Sequence, residues 1–375
     1  MFSVIIKSLE LKNYRNYEAL SLEPSSGTNI FFGDNAQGKT NVLEAVYVCA
    51  TSKSHRGSRD REMIRFGQED AHICMKVERS GVLHKLDIHL KKNKVKGIAV
   101  DGMIIKKYSQ LFGVVNVVLF SPEDLGIIKN GPGERRRFID MELCQLSKLY
   151  MSYLMNYTKI LNQRNNLLKQ LGNDSSLLET LDIWDAQLVR YGSLLVRERK
   201  KFVSELNALI GDIHSKLSGG RERLVIEYEP SAGEEDYGKR LFSKRSYDIK
   251  TRTTSVGPHR DDISFSIRDI DIRRFGSQGQ QRTAALSLKL AEIELVRRVT
   301  NDKPVLLLDD VLSELDGRRQ NYLLESIRDI QTMITCTGLD EFVNNRFEID
   351  KVYHVSNGHI ECNSRPMEYK EEHYE

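Results

Sequence analysis

Much of what could classify this chain of 375 residues is missing from it. No stretch reaches the roughly 18 consecutive apolar residues of a membrane span. The opening MFSVIIKSLELKNY is no signal peptide, because its apolar run from Phe2 to Ile6 is too short and charge follows at once. The five cysteines, Cys49, Cys74, Cys144, Cys336 and Cys362, are odd in number and scattered. They form neither a disulfide framework nor a metal-ligand cluster, and a reducing cytoplasm fits best. The net charge is only +3, so no whole-molecule field forces nucleic-acid binding, and any such surface must be local. No internal repeat, low-complexity segment or aromatic-rich stacking platform is evident. What is left is the composition of an ordinary soluble globular protein, 40% hydrophobic and 8% aromatic.

Against that plain background one stretch asks for a ligand. Gly33, Asp34, Asn35, Ala36, Gln37, Gly38, Lys39 and Thr40 read G-x-x-x-x-G-K-T, the phosphate-loop pattern at every fixed position. Glycines let successive backbone N–H groups turn inward onto phosphate oxygens. Lys39 can reach the β- and γ-phosphates, and the Thr40 hydroxyl can ligate Mg²⁺. Thr28–Phe32 before the loop is apolar and β-prone. Asn41–Cys49 after it has helical spacing, with Val42, Ala45, Val46 and Cys49 on one face. Strand, glycine loop and helix therefore predict a nucleoside triphosphate site, with the helix N-terminus aimed at the anion.

The rest of the chain reads as one mixed α/β lobe interrupted by a helical lobe. Candidate strands are Ser3–Leu11, Thr28–Phe32, Ala71–Arg79, Leu83–Lys91, Ile98–Val100 and Val114–Phe120. Leucines at three- and four-residue spacing from Gly133 to about Leu217 predict two long helical blocks, broken at Gly172-Asn173-Asp174-Ser175. They are too short for a long coiled-coil arm. A helix near Thr283–Thr300 and a strand Val305–Leu308 follow. The expected division is 1–130 and 221–365 for the two parts of the ATPase lobe, 131–220 for the inserted helical lobe, and 366–375 for a loose tail.

A phosphate loop needs a metal-holding carboxylate at the end of a hydrophobic strand, and Val305-Leu306-Leu307-Leu308-Asp309-Asp310 supplies it. Asp309 would hold Mg²⁺, and Asp310, one residue on, could orient or deprotonate the attacking water. Two further segments bracket this strand: FGSQGQQR, from Phe275 to Arg282, and SELD, from Ser313 to Asp316. Ser277-Gln278-Gly279-Gln280-Gln281 resembles the signature motif of ABC-type ATPases, and Ser313–Asp316 resembles their D-loop. That resemblance implies paired subunits, with Ser277 and Gly279 of one capping the γ-phosphate held by the phosphate loop of the other. Catalytic roles then fall to Asp310 and Lys39, and metal ligation to Thr40 and Asp309.

The resemblance narrows further. LELKNYRNYEALSLE, VLFSPEDLGIIKNGPGERRRFID (Val118–Asp140), TSVGPHRDDI (Thr254–Ile263) and PVLLLDDVLSELD together resemble the RecF family of bacterial recombination mediators, nearly end to end. The family resembles the heads of SMC-type proteins without their coiled coils. It implies ATP and Mg²⁺ as cofactors, ATP-driven dimerisation, slow hydrolysis, and binding to gapped or junction DNA. It also implies cooperation with RecR and RecO in loading RecA, in support of the SOS response. Three departures from the ABC pattern stand out. The catalytic carboxylate is Asp310 where Glu is usual. No metal-contacting glutamine can be placed near Leu119–Glu123. Thr335 or Thr337 stands where a switch histidine would be expected.

DNA contacts are sought in three basic clusters: Lys91, Lys92, Lys94 and Lys96 with Lys106 and Lys107; the triplet Arg135–Arg137; and Arg197, Arg199, Lys200 and Lys201. A solvated strand edge would explain the lysines equally well, and Glu134 or Asp140 could neutralise the triplet. His259 reads as a loop hydrogen-bonding residue, and Arg56 as a candidate phosphate contact. Three other classes were weighed: the motor of a transporter or DNA end-processing complex, a nuclease-associated ATPase, and a nucleotide-responsive scaffold without hydrolysis.

Overall fold

A computed structural model describes residues 2–171, 178–338 and 348–363. The chain divides into two compact units, Met1–Pro122 with Val296–Glu375, and Glu123–Leu295. The Gly172–Ser175 breaker and the tail from residue 366 lie outside the described residues.

The first unit holds two sheets. The larger one starts from Phe2–Tyr14, whose buried residues switch parity along its length. Val4 and Ile6 face the core at one end, Leu9 and Leu11 at the other. A bulge between Ile6 and Ser8, in the antiparallel pairing with Asp70–Arg79, makes the switch. Tyr17–Leu22 folds back onto this strand as a hairpin that the sequence pattern does not reveal. Val82–Lys91, Gly97–Val100 and Met103–Ile104 extend the sheet by antiparallel pairing.

The second sheet carries the nucleotide loop. Its order is His359–Asn363, Lys351–Ser356, Thr28–Phe32, Thr332–Cys336, Val305–Asp309 and Val117–Phe120. From Lys351–Ser356 to Val117–Phe120 every pairing is parallel. Val305–Asp309, Thr332–Cys336 and Val117–Phe120 are buried at every position, as strands covered on both faces must be. One strand, Thr332–Cys336, separates the loop strand from the carboxylate strand, and Thr335 pairs with Phe31 on one side and Asp309 on the other.

The second unit is helical with a small sheet. Pro132–Leu146 begins with proline at its first turn. Lys148–Gln170 is capped by the Ser147 side chain, which accepts from Tyr150 N. Leu178–Ser218 runs for 41 residues, about 60 Å at 1.5 Å per residue, and packs on Lys148–Gln170. Strands Leu224–Glu229, Asp262–Ile267 and Ile270–Asp271 form an antiparallel sheet. The compact unit Glu123–Leu295 is thus wider than the 131–220 expected for the helical lobe. It takes in this sheet and most of the Gln278–Thr300 helix.

Candidate functional site: a nucleotide cradle and a signature helix

The phosphate loop is built by local backbone demands. Gly33 and Gly38 have φ of 146° and 115°, a region that L side chains avoid. A Cβ on Gly33 would lie 2.3 Å from the Val355 carbonyl oxygen, and one on Gly38 2.5 Å from Nδ2 of Asn16. Asp34, Asn35 and Ala36 are exposed along the rim. Gly38 leads into the helix Lys39–Thr51, whose N-terminal N–H groups open at the loop.

The loop is also braced from outside. Asn16 Nδ2 donates to the Gln37 carbonyl at 2.8 Å, and the Tyr17 hydroxyl to the Gly38 carbonyl at 3.1 Å. Asn357 N donates to Gln37 Oε1 at 2.6 Å. Asn16, Tyr17 and Asn357 are not among the residues expected from the sequence to serve the site. The NYRNY stretch was the available signal, since two polar asparagines and two tyrosines at a strand reversal have more bonding capacity than a turn uses.

Lys39 is almost fully buried and its ammonium spans the loop, donating to the carbonyls of Gly33 and Asp34. Thr40 Oγ1 donates to Asp309 Oδ1 at 2.7 Å, across 269 residues of sequence. Thr335 Oγ1 donates to the same oxygen at 2.7 Å. A hydroxyl and a carboxylate side by side at the mouth of a phosphate loop are hard oxygen donors of the kind Mg²⁺ takes together with phosphate oxygens, so the residues present fit that ion. Among the described residues no group of three or more His, Cys, Asp or Glu side chains could hold a metal, which leaves the nucleotide to complete any such shell.

Asp310 follows with φ of 52°, a left-handed conformation uncommon for residues other than glycine and concentrated at functional sites. Its N–H donates to Thr335 Oγ1 at 3.0 Å, and Ser313 Oγ lies 3.3 Å from its Oδ1. Thr335 therefore orients both aspartates and is buried sideways in the sheet. It is not a free hydroxyl in the place of a switch histidine. Thr337 is exposed. In the D-loop stretch, Asp316 caps the helix Gly317–Ile327, accepting from Arg319 N at 3.0 Å.

One turn into the loop helix, Glu44 is fully buried and paired bidentately with Arg15. Burial opposes its ionisation, but hydrogen bonds from Arg15 and Ser54 outweigh burial and hold its pKa below the ordinary value. Arg56 reaches Asn41 Oδ1 at 3.3 Å, and Asn41 Nδ2 donates to Asn16 Oδ1 at 2.8 Å. This puts an exposed guanidinium beside the N-terminus of the loop helix.

In the second unit, Ser277 opens the helix Gln278–Thr300 through a capping box. Ser277 N donates to Gln280 Oε1 at 2.8 Å, and Gln280 N donates to Ser277 Oγ at 3.2 Å. A Cβ on Gly279 would meet only Ser277 Oγ, at 3.9 Å. Glycine inside a helix costs stability, and this one leaves open space beside the cap.

The basic clusters resolve differently. Arg135 and Arg199 are buried. Arg135 binds Asp262 bidentately, and Arg199 binds Asp140 at 2.7 Å and the Pro258 carbonyl at 2.7 Å. Both are thereby removed as DNA contacts, and the main partner of Arg135 is the distant Asp262, not its neighbour Glu134. Arg136 donates to the Asp261 carbonyl. Lys96 is tied to Asp60 and the Ser52 carbonyl. Lys91, Lys92, Lys94, Lys106 and Lys107 stay exposed. His259 bonds the Tyr157 hydroxyl at 2.7 Å and the Thr254 carbonyl at 2.9 Å. Burial is the main cause that pushes its pKa down to about 4. It is the hydrogen-bonding residue expected, although it sits in the second unit.

A glycine loop between a parallel strand and a helix, an aspartate at the end of the next strand but one, and the signature and D-loop sequences define an ABC-type ATPase head. Solved SMC head domains from Pyrococcus furiosus and Pyrococcus yayanosii share the fold, at TM-scores of 0.57 and 0.58 and identities of 17% and 14%, each covering 97% of this chain and 97–98% of theirs. The particular family is equally plain: the chain belongs to the RecF family. The model of the RecF/RecN/SMC N terminal domain matches residues 5–361. The DNA replication and repair protein RecF of Lachnoclostridium phytofermentans is 64% identical over 96% of this chain and 99% of that protein. That of Clostridium perfringens is 45% identical over 95% and 99%. A solved structure of the recombination mediator protein RecF with ATP, of the RecFOR pathway, superposes with a TM-score of 0.89 at 35% identity, covering 96% of this chain and all of that one. Among the described residues no helix is long and apolar enough to cross a membrane.

Proposed function

We propose that this protein is an ATP-gated DNA clamp of recombinational repair. ATP and Mg²⁺ fill two composite sites between paired copies, and the closed pair holds gapped duplex or a single-/double-strand junction without reading sequence. Hydrolysis is slow, stimulated by DNA, and opens the pair, so the enzyme works as a switch. RecR and RecO act with it to load RecA in the cytoplasm, supporting replication-fork maintenance and the SOS response. Lys39 and the N–H groups of Gly33–Thr40 cradle the triphosphate. Thr40 and Asp309 hold the metal, Asp310 positions and deprotonates water, and Ser277 and Gly279 cap the γ-phosphate of the other copy.

The meeting of Thr40 and Asp309 at 2.7 Å carries this reading, because a hydroxyl and a carboxylate from distant parts of the chain converge where a phosphate-bound cation would sit. The similarity along nearly the whole chain to a RecF protein solved with ATP supports it. The test is sedimentation with and without ATP, together with a gel shift on gapped against blunt duplex. Wild type should pair only with ATP and prefer the gap. Ser277→Arg should bind ATP and stay single, and ATP-induced pairing of that variant would defeat the cross-subunit role.

A further inference from the structure

The signature serine is held by a relay that begins well outside the motif. Gln280, its capping partner, has one amide oxygen engaged by Ser277 N. The amide nitrogen donates to Glu222 Oε1 at 2.8 Å. Glu222 in turn lies with Oε2 3.6 Å from Nε2 of His214, which is fully buried. The other ring nitrogen of His214 is 2.9 Å from Ser287 Oγ, and Ser287 donates to the Thr283 carbonyl on the signature helix. Hydrogen bonds thus run from Ser277 through Gln280 to Glu222, and Glu222 lies within ion-pair range of His214, whose other ring nitrogen meets Ser287 on the same helix about two turns on.

Local structure explains why Glu222 is there. The 41-residue helix ends at Ser218. Gly219 and Gly220 follow with φ of 73° and 77°, which turn the chain sharply toward the strand Leu224–Glu229. Ser218 Oγ accepts from Glu222 N at 3.2 Å and fixes that turn. His214 lies one turn before the helix end, and the turn that follows brings Glu222 back beside it.

We propose that Glu222 is a positioning residue for the signature motif. By binding the Gln280 amide nitrogen it selects the amide orientation in which the oxygen faces Ser277 N. That orientation holds the Ser277 hydroxyl oxygen as a helix cap and leaves its proton to point outward at the γ-phosphate of the other copy. Without Glu222 the Gln280 amide can rotate, and the serine loses its fixed rotamer. The inference rests on the cross-subunit reading of Ser277. Glu222 touches no nucleotide, so its effect belongs to pairing and turnover and not to ATP capture.

The experiment compares Glu222→Ala, Glu222→Gln and Ser277→Arg in the full chain, measuring ATP binding at dilution, ATP-induced dimerisation and hydrolysis. Glu222→Ala should bind ATP as wild type does. It should pair about tenfold more weakly, equivalent to about 1.4 kcal/mol, and its kcat should fall in step. Glu222→Gln keeps an acceptor for the Gln280 amide and should recover most of the pairing. A cycle with Gln280→Ala should be non-additive, since the two substitutions remove one contact. Wild-type pairing by Glu222→Ala while Ser277→Arg stays single would overturn the positioning role and leave the clamp reading intact. Pairing by Ser277→Arg would overturn both. Equal loss of ATP binding and pairing in Glu222→Ala and Glu222→Gln would also overturn the role, because it would show a general structural effect.

Discussion

The buried arginines of the helical unit and the buried charges at the phosphate loop have opposite surroundings. In the helical unit Arg135, Arg164 and Arg199 are all but fully buried, and each is surrounded by protein partners. Arg164 binds Asp185 and Asp248 at 2.6 and 2.7 Å, and Arg199 binds Tyr150, Asp140 and the Pro258 carbonyl. At the phosphate loop, among the described residues, the buried Lys39 is bonded by two loop carbonyls and the carboxylate of Asp309 by two hydroxyls. Buried arginines paired with carboxylates fix an architecture. A lysine and an aspartate bonded to neutral groups leave room for a charged ligand. The contrast distinguishes a charge that holds the fold from one that works, and sequence cannot make it.

The contrast can be broken at either end. Removing a carboxylate-paired arginine should act on stability alone. Arg164→Ala leaves Asp185 and Asp248 buried with one cation fewer, and should cost about 3–5 kcal/mol in chemical denaturation, with ATP affinity unchanged wherever the protein is folded. Removing the unsatisfied lysine should do the reverse. Lys39→Ala should lower ATP turnover at least about 100-fold, while its denaturation midpoint stays near that of wild type. A result in which Arg164→Ala spared stability, or Lys39→Ala collapsed the fold, would erase the distinction.

Two smaller effects sharpen it. His259 has a folded pKa of about 4, below the ordinary 6.5 or so. Its neutral form is the native one, so its contribution is complete above about pH 6.5, declines as pH falls toward 4, and is lost below that. The loss is no more than about 3.4 kcal/mol at about 1.36 kcal/mol per unit. His259→Asn should flatten the acid limb of a stability–pH curve. The exposed hairpin lysines should matter least. Lys92→Ala with Lys94→Ala should weaken binding to gapped DNA by a few fold at low salt and reduce the salt slope by no more than about two. No change in slope would assign those lysines to guarding the sheet edge.

The nucleotide half of the site was legible because its residues are consecutive. G-x-x-x-x-G-K-T and LLLDD each carry their chemistry in a short run, so the pairing of Thr40 with Asp309 could be expected from two strings. Strands were legible where alternation or full burial was clean, as in Thr28–Phe32. The hairpin strand Tyr17–Leu22 was missed because only its two ends are buried. The extent of the second compact unit was not legible, because strands Leu224–Glu229 and Asp262–Ile267 look no different in sequence from core strands of a larger sheet. Roles that depend on a partner far along the chain were illegible. Arg135 was a candidate DNA contact until Asp262 stood beside it, and Thr335 was one of two candidates for the switch position until both aspartates were found on its hydroxyl.

The strand that feeds the phosphate loop, Thr28–Phe32, has as its two neighbours Thr332–Cys336 and Lys351–Ser356. Both are made some 300 residues later, which is the kind of long-range pairing that forms slowly and late. During translation the ribosome therefore releases the loop strand long before anything exists to flank it. A chain that stops before Lys351–Ser356 lacks one of the two strands that flank the loop strand, and so has no finished cradle. Ribosome-stalled chains of increasing length should become protected from protease by ATP only once those final strands have emerged.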